Sequence, residues 1–349
     1  MVDSPTYPQL WFTYGPRTTD DAVLRDLIRA GATGARFTFS YGTSQLQISR
    51  AQQVRAAAEA LGIPVYLVAD LQGEKYRLAQ IEGVDEIRVT KDKPLELTTA
   101  ATDLSSVPNV IPVQNATMME HLRLGDVIVE GDGGMLLEVV KQTAHGFLCR
   151  PLSDGAIHPG RGLLVQSAEF RPLALTSKDL SDLHDIKGSK AFDAVAISFV
   201  SSRTDIIRAR ESLDDPRIQV FAKLETTSGI HDVESIAAEA DGLVAARGDL
   251  ALCMPWQNLY CAVKEISAAA SRFHRPWILA TQLVEGLERF AFPTRAEICD
   301  LSHWIEQGAF GAMLSYETAF GSRPGDAVRC VRTTMEPYLR RDTPRKRQI

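Results

Sequence analysis

Along most of the chain, short apolar runs rich in β-branched residues alternate with longer amphipathic segments, so the hydrophobic period switches repeatedly between 2 and 3.6. Eight runs read as strands: Leu10–Tyr14, Gly34–Ser40, Val65–Leu71, Asp193–Phe199, Gln219–Glu225, Gly242–Arg247, Trp277–Thr281 and Phe310–Ser315. Helical patterns lie between most of them, among them Thr19–Ala30, Ser44–Leu61, Ser202–Leu213, Val233–Ala240 and Thr294–Gln307. Repeated strand–helix units place the chain in the α/β class. Eight of them favour a closed (β/α)8 TIM barrel over an open doubly wound sheet, the more so because no Gly-x-Gly-x-x-Gly follows the first strand.

From about Leu78 to about Arg171 the rhythm breaks. Long helical patterns stop, and short runs such as Asp126-Val-Ile-Val129, Met135-Leu-Leu-Glu-Val-Val140 and Gly162-Leu-Leu-Val-Gln166 are separated by Gly, Pro and Asp. This pattern predicts a small all-β domain, barrel-like, inserted after the third strand. The expected division is a barrel of residues 1–77 and 172–349 with an insert of 78–171. An insertion on a strand-to-helix loop emerges at the barrel's C-terminal face and is placed to act as a lid.

Composition narrows the function classes. With 349 residues, 45% hydrophobic and 23% charged, the chain reads as a soluble globular protein with one or two domains. It has no run long enough to span a bilayer and no basic-then-apolar leader, so a cytoplasmic protein without a membrane partner is expected. A net charge of −6 gives no support to a nucleic-acid partner, and the basic stretch Arg340–Arg347 reads as a solvated tail. Five cysteines, none in a Cys-x-x-Cys pair, read as reduced packing residues.

Candidate chemistry gathers at the strand ends. Phe221-Ala-Lys-Leu-Glu225 and Leu243-Val-Ala-Ala-Arg-Gly-Asp249 are apolar runs that finish in charge, and alternation along a strand points Lys223 and Glu225 the same way. Taken alone these residues fit an ordinary buried ion pair as well as a metal site. In a barrel, however, Arg36, Ser40, Asp70, Lys223, Glu225, Arg247, Asp249 and Thr281 all fall at C-terminal strand ends, and a shared polar mouth explains them together. Glu225 and Asp249 are hard oxygen ligands suited to Mg²⁺ or Mn²⁺. Lys223 and Arg36 suit a transferring phosphoryl group or an enolate oxygen. The Gly248 amide opens a short turn before a helix near Pro255 and offers a seat for a substrate carboxylate. Thr281 has the weakest case, since hydroxyls at strand ends often only cap helices. No histidine pair has metal-ligand spacing, and no Gly-x-Ser-x-Gly elbow is present.

The ordered motifs resemble the pyruvate kinase family from about Thr13 to about Arg332. They are Thr13-Tyr-Gly-Pro16, Ala35-Arg-Phe-Thr-Phe-Ser-Tyr-Gly42, Asp70-Leu-Gln-Gly73, Ser198-Phe-Val200, Lys223-Leu-Glu225 and Ala246-Arg-Gly-Asp-Leu250, followed by Ala280-Thr-Gln282, Pro293-Thr-Arg-Ala-Glu297, Met313-Leu-Ser315 and Glu317-Thr-Ala319. The resemblance implies the same barrel with an inserted β domain. It implies that Glu225 and Asp249 hold a divalent metal, that Lys223 stabilises the phosphoryl group, and that Arg36 and Arg77 contact phosphates. Thr281 would sit beside the enolate carbon in a protonating relay, with the Gly248 and Asp249 amides on the substrate carboxylate. The implied reaction is phosphoryl transfer between phosphoenolpyruvate and ADP.

Departures from the family pattern carry their own expectations. In the monovalent-cation region Thr38 stands where Asn is usual, while Ser40 and Asp70 remain, and Lys75 falls where potassium-dependent members have Glu. This resembles the potassium-independent members. Tyr41 replaces a histidine near the nucleotide, Glu74 a hinge proline, Ala251 a glycine after the metal aspartate, and Tyr316 the glycine of a Leu-Ser-Gly-Glu-Thr motif. The sequence ends after the eighth helix, so the usual effector regulation is not expected, and a homodimer through the helix Trp256–Phe273 is. Two other readings stay open: a 2-oxo acid enolate handled at the same seat for C–C cleavage, condensation or decarboxylation, and a non-catalytic binding homologue.

Overall fold

The computed structural model describes residues 8–91, 93–99, 109–167 and 169–339. Eight strands, Gln9–Thr13, Gly34–Thr38, Tyr66–Asp70, Ala194–Ile197, Gln219–Leu224, Gly242–Ala246, Trp277–Ala280 and Gly311–Met313, close into one barrel. Every neighbouring pair is parallel, and the first strand pairs with both the second and the last. All eight expected strands are present, most of them trimmed by a residue or two at one or both ends. The seventh stops at Ala280 because Thr281 and Gln282 turn with φ of +73° and +53°.

Large rings fill the barrel interior. Trp11 and Phe221 meet edge to face at 5.5 Å between centroids. Their bulk requires glycine opposite them: a Cβ on Gly34 would stand 2.3 Å from the Trp11 ring, and one on Gly242 2.3 Å from the Phe221 ring. The outward faces of the strands pack on the surrounding helices in a separate, larger core that includes Leu67, Leu243, Leu279 and Leu301. Side-chain caps punctuate the helices where the sequence places Ser, Thr and Asp. Thr43 caps Ser44–Leu61, and capping boxes open Ser177–Ser189, Arg203–Leu213 and Arg295–Glu306. The helix expected over Trp256–Phe273 is a 3-10 turn, Trp256–Asn258, followed by an α-helix, Leu259–Arg272.

Between barrel strands three and four lies a seven-stranded sheet with its own core around Leu97, Leu137 and Phe170. A bridge between Leu78 and Val113 joins the two ends of the strand order, so this sheet also closes on itself. It begins with Tyr76–Arg77, which pairs with Gly162–Leu163. A contact at its far side, Gln166 Nε2 donating to the Met254 carbonyl at 3.1 Å, ties it to the barrel mouth. Among the described residues no helix is long and apolar enough to cross a membrane. The basic stretch Arg340–Arg347 lies outside the described residues.

The two chain crossings between barrel and insert meet at Glu74. Its amide donates to the Leu173 carbonyl at 2.8 Å. Its carboxylate in turn accepts the Leu173 amide (2.9 Å), the Tyr76 hydroxyl (2.7 Å), the Thr117 hydroxyl (2.5 Å) and the Asn115 amide (3.1 Å). Burial alone would raise the pKa of this carboxyl, but the four donors outweigh it and hold it below the usual glutamate value. Replacement of Glu74 by Ala is expected to lower the unfolding free energy by about 2–4 kcal/mol at neutral pH in urea denaturation. A depressed folded-state pKa stabilises above the unfolded value of about 4.3 and loses that contribution as pH falls through the depressed value. The gap between wild type and E74Q is therefore expected to close in that acid range, and equal stability at pH 7 would count against the staple.

Candidate active site

The fifth barrel strand runs apolar until its last turn and there delivers Lys223 and, one step beyond its end, Glu225 to the C-terminal mouth. Strand two brings Arg36 to the same mouth and strand three ends in Asp70. These four residues form one network. The Lys223 ammonium lies 3.1 Å from Asp70 Oδ1 and 3.0 Å from Glu225 Oε1, and it donates to Ser198 Oγ at 2.8 Å. Arg36 Nε donates to Asp70 Oδ2 at 2.6 Å, and its Nη1 reaches the Thr13 hydroxyl at 3.1 Å. The other Glu225 oxygen accepts the Phe199 amide at 2.9 Å.

Ser198 is the member that sequence reasoning left out of the site. It follows the fourth strand, one of three strand ends, with the first and the eighth, from which no polar residue was taken. Its hydroxyl accepts from Lys223 and donates to the Leu71 carbonyl at 2.6 Å, so it fixes the ammonium against the third strand. The strand-end rule that found the others applies equally to it.

Lys223, Asp70 and Glu225 are all buried, and their charges set one another's proton affinity. Burial opposes charge on Lys223, yet Asp70 and Glu225 outweigh it and its pKa lies above the ordinary lysine value. Burial likewise disfavours ionised Asp70, but Arg36 and Lys223 prevail and lower its pKa. Glu225 goes the other way. Burial first, with Asp249 and Asp70 adding like charge, raises its carboxyl despite Lys223. Asp70 Oδ1, although 3.1 Å from the ammonium, does not meet it in hydrogen-bond geometry and is the buried side-chain polar atom without a hydrogen bond among the described residues.

Asp249 approaches from strand six. A short turn was expected there, but the strand passes directly into a helix, Arg247–Leu252, so Gly248 and Asp249 occupy its first turn. The reason is local: Arg247-Gly-Asp-Leu-Ala-Leu252 has no proline before Pro255 and can continue helically. No side chain among the described residues ion-pairs with Asp249. Its carboxylate lines a cleft of about 280 Å³ shared with Lys75, Arg77 and Arg161. Arg77 reaches this cleft from the inserted sheet, where its guanidinium also donates to the Gly160 carbonyl at 3.2 Å.

A second cleft of about 400 Å³ adjoins the first through Tyr41 and Lys75, and Arg36, Thr38, Ser40, Arg50, Tyr316 and Phe320 also line it. Of the four residues grouped as a monovalent-cation region, Thr38, Ser40 and Lys75 share this cleft. Asp70 is taken up by Arg36 and Lys223 instead. Tyr316 and Phe320 stack at 6.0 Å and remain about half exposed, as does Tyr41 opposite. Thr281 stands beside Gly248, where an added Cβ would lie 3.5 Å from its hydroxyl oxygen. Among the described residues no group of three or more His, Cys, Asp or Glu side chains is arranged to hold a metal.

The family model of the pyruvate kinase barrel domain matches residues 9–328. The chain is 30% identical over 318 residues to a pyruvate kinase of Thermococcus litoralis, an alignment covering 90% of this chain and 66% of that protein. It is 31% identical over 329 residues to pyruvate kinase 2 of a Synechocystis species, covering 93% and 55%. A pyruvate kinase of Thermotoga maritima is 29% identical over 324 residues, covering 91% and 68%. The chain thus spans between about half and two thirds of the length of these curated relatives. With the barrel closed, the β insert in place and the family model matched over residues 9–328, the chain belongs to the pyruvate kinase family.

Proposed function

We propose that the site catalyses metal-dependent phosphoryl transfer between phosphoenolpyruvate and ADP. The observation that supports this most is Lys223: a buried ammonium kept charged by Asp70 and Glu225 and aimed by Ser198. A fixed positive charge in a dry site stabilises a transferring phosphoryl group without reorganising during the reaction. Arg36, clamped by Asp70, adds a second fixed cation. Arg77, across the first cleft, contacts phosphate in this reading, and the amides of Gly248 and Asp249 receive the substrate carboxylate. Thr281 stands where a proton reaches the enolate carbon.

The residues present fit a divalent cation. Three carboxylates, Asp70, Glu225 and Asp249, face two cations, Arg36 and Lys223, and the like charge of Asp249 and Asp70 adds to burial in raising Glu225. Two of these carboxylates, Glu225 and Asp249, would hold Mg²⁺ or Mn²⁺ and leave other positions to substrate oxygens and water. When bound, the ion neutralises charge on the phosphate and polarises the enolate oxygen. Lys75 carries its own ammonium into both clefts, which supports activity without potassium. The inserted sheet, which opens at Tyr76–Arg77, serves as a lid over the mouth. Trp256 in the 3-10 turn and Tyr260 at the start of the helix Leu259–Arg272, 80% and 54% exposed, support a homodimer through that surface.

A second reading rests on the aromatic lining of the second cleft. Tyr41 stands where the resemblance puts a histidine near the nucleotide, and Tyr316 and Phe320 line the same cleft, which favours a site that handles the enolate of a 2-oxo acid without nucleotide.

Two experiments test these readings. Protein supplied with Mg²⁺, ADP and phosphoenolpyruvate in potassium-free buffer is expected to form ATP and pyruvate, and Lys223→Met to lower the rate at least about 10²–10³-fold. Absence of ATP at saturation would sink the kinase reading, and metal-dependent deuterium exchange into pyruvate without nucleotide would then favour the second. Separately, Mn²⁺ is expected to raise the thermal midpoint of wild type and of Lys223→Met, but not of Asp249→Asn or Glu225→Gln, in calorimetric scans. An unchanged metal response in both carboxylate variants would place the ion elsewhere.

A further inference from the structure

We infer that Arg247 is a positioning residue whose guanidinium, anchored on Asp300, holds the turn that presents Thr281 to the site. The inference rests on the proposed role of Thr281 and extends it to a residue for which the sequence suggested only a strand-end location.

Arg247 is the first residue of the helix after strand six, yet its side chain, 12% exposed, serves strand seven. Nε donates to the Ala280 carbonyl at 3.1 Å and Nη2 to the Thr281 carbonyl at 2.7 Å. Nη1 pairs with Asp300 Oδ2 at 2.5 Å. Asp300 is itself fixed, since its other oxygen accepts the Trp304 indole N–H at 2.9 Å. Both acceptors lie on the helix Arg295–Glu306, so one guanidinium ties strand six, the end of strand seven and the following helix. A planar fork with several donors suits this geometry, and a lysine ammonium cannot reproduce it.

The held segment is one that would not keep its shape unaided. Thr281, a β-branched residue, has φ of +73°, and Gln282 follows at +53°. Such a conformation persists only when the surroundings over-determine it, and it re-aims the side chain. The Thr281 side chain then packs beside Gly248, the residue next to Arg247, where an added Cβ would meet Thr281 Cγ2 at 3.3 Å. Two consecutive residues therefore govern Thr281. Arg247 fixes its backbone and Gly248 leaves room for its side chain. Without the guanidinium the Ala280 and Thr281 carbonyls lose these donors, the turn relaxes, and the hydroxyl leaves its place.

The test separates proton delivery from phosphoryl transfer in Arg247→Gln, Arg247→Lys, Asp300→Asn, Thr281→Ala and the double variant Arg247→Gln/Thr281→Ala. Metal-dependent deuterium exchange into the pyruvate methyl group in the presence of ATP is measured beside the kinetics of ATP formation. Arg247→Gln is expected to slow exchange about 10–100-fold with KM for phosphoenolpyruvate changed less than about threefold, and Arg247→Lys and Asp300→Asn to fall between it and wild type. In the Thr281→Ala background Arg247→Gln is expected to add less than about a further twofold loss, because the two act as one unit. Additive losses, or normal exchange in Arg247→Gln while Thr281→Ala is impaired, would overturn the positioning inference and leave the role of Thr281 standing. Normal exchange in Thr281→Ala would overturn both. Folding of each variant is checked by its thermal midpoint, and if Arg247→Gln does not fold, Asp300→Asn and Arg247→Lys carry the same comparison.

Discussion

The site is organised by one buried ammonium. Lys223 needs its partners to remain charged away from water, and those partners come from three different strands: Asp70 from the third, Ser198 from the end of the fourth and Glu225 from the fifth. An unpaired charge in this position would cost several kcal/mol. The barrel must therefore close in the register that brings these strand ends together. Arg36 is then determined in turn, because it takes the Asp70 oxygen that Lys223 does not use. Stability of the mouth and its electrostatic function are thus properties of the same contacts. The carboxylates Asp70, Glu225 and Asp249 outnumber the cations Arg36 and Lys223 at this mouth, a surplus that a divalent cation would offset in the proposed function.

Around this rigid centre the chain differs from its family pattern in ways that have structural consequences. A proline at the hinge would set a backbone angle and leave no donor. Glu74 instead bonds both crossings and the insert, so the insert is pinned by a charged side chain rather than by a stiff backbone. Tyr316, where the family pattern has glycine, adds a ring that stacks on Phe320 and lines the second cleft. Tyr41 on the opposite wall is equally exposed. These changes leave the ammonium and its carboxylates untouched and act on what is admitted to them.

The eight strands were legible because each is a short apolar run bounded by polar turns, and a closed barrel buries such runs on both faces. Charged strand ends were legible for the same reason, since a charge in an otherwise apolar run has to emerge at an end. Limits of this reading appear at Ser198, a strand-end hydroxyl that the same rule reaches but that bears no charge to single it out. They appear again at Gly248, where a glycine after an apolar run suggested a turn and the chain entered a helix instead. Asp70 shows a third limit. The resemblance grouped it with Thr38 and Ser40 in a monovalent-cation region, and only the structure shows its carboxylate paired with Arg36 and Lys223.

By itself the sequence determined the repeat of strands and helices, the place of the β insert and the residues that bear charge at the mouth. These follow from local periodicity and from the cost of burying charge, both of which act within a few residues. Only the tertiary structure decided which charges pair. It also decided that Arg247 crosses to strand seven, that Thr281 turns through a left-handed conformation beside Gly248, and that Glu74 joins both crossings to the insert. Those outcomes depend on residues tens of positions apart meeting at hydrogen-bond distance, which no local pattern encodes.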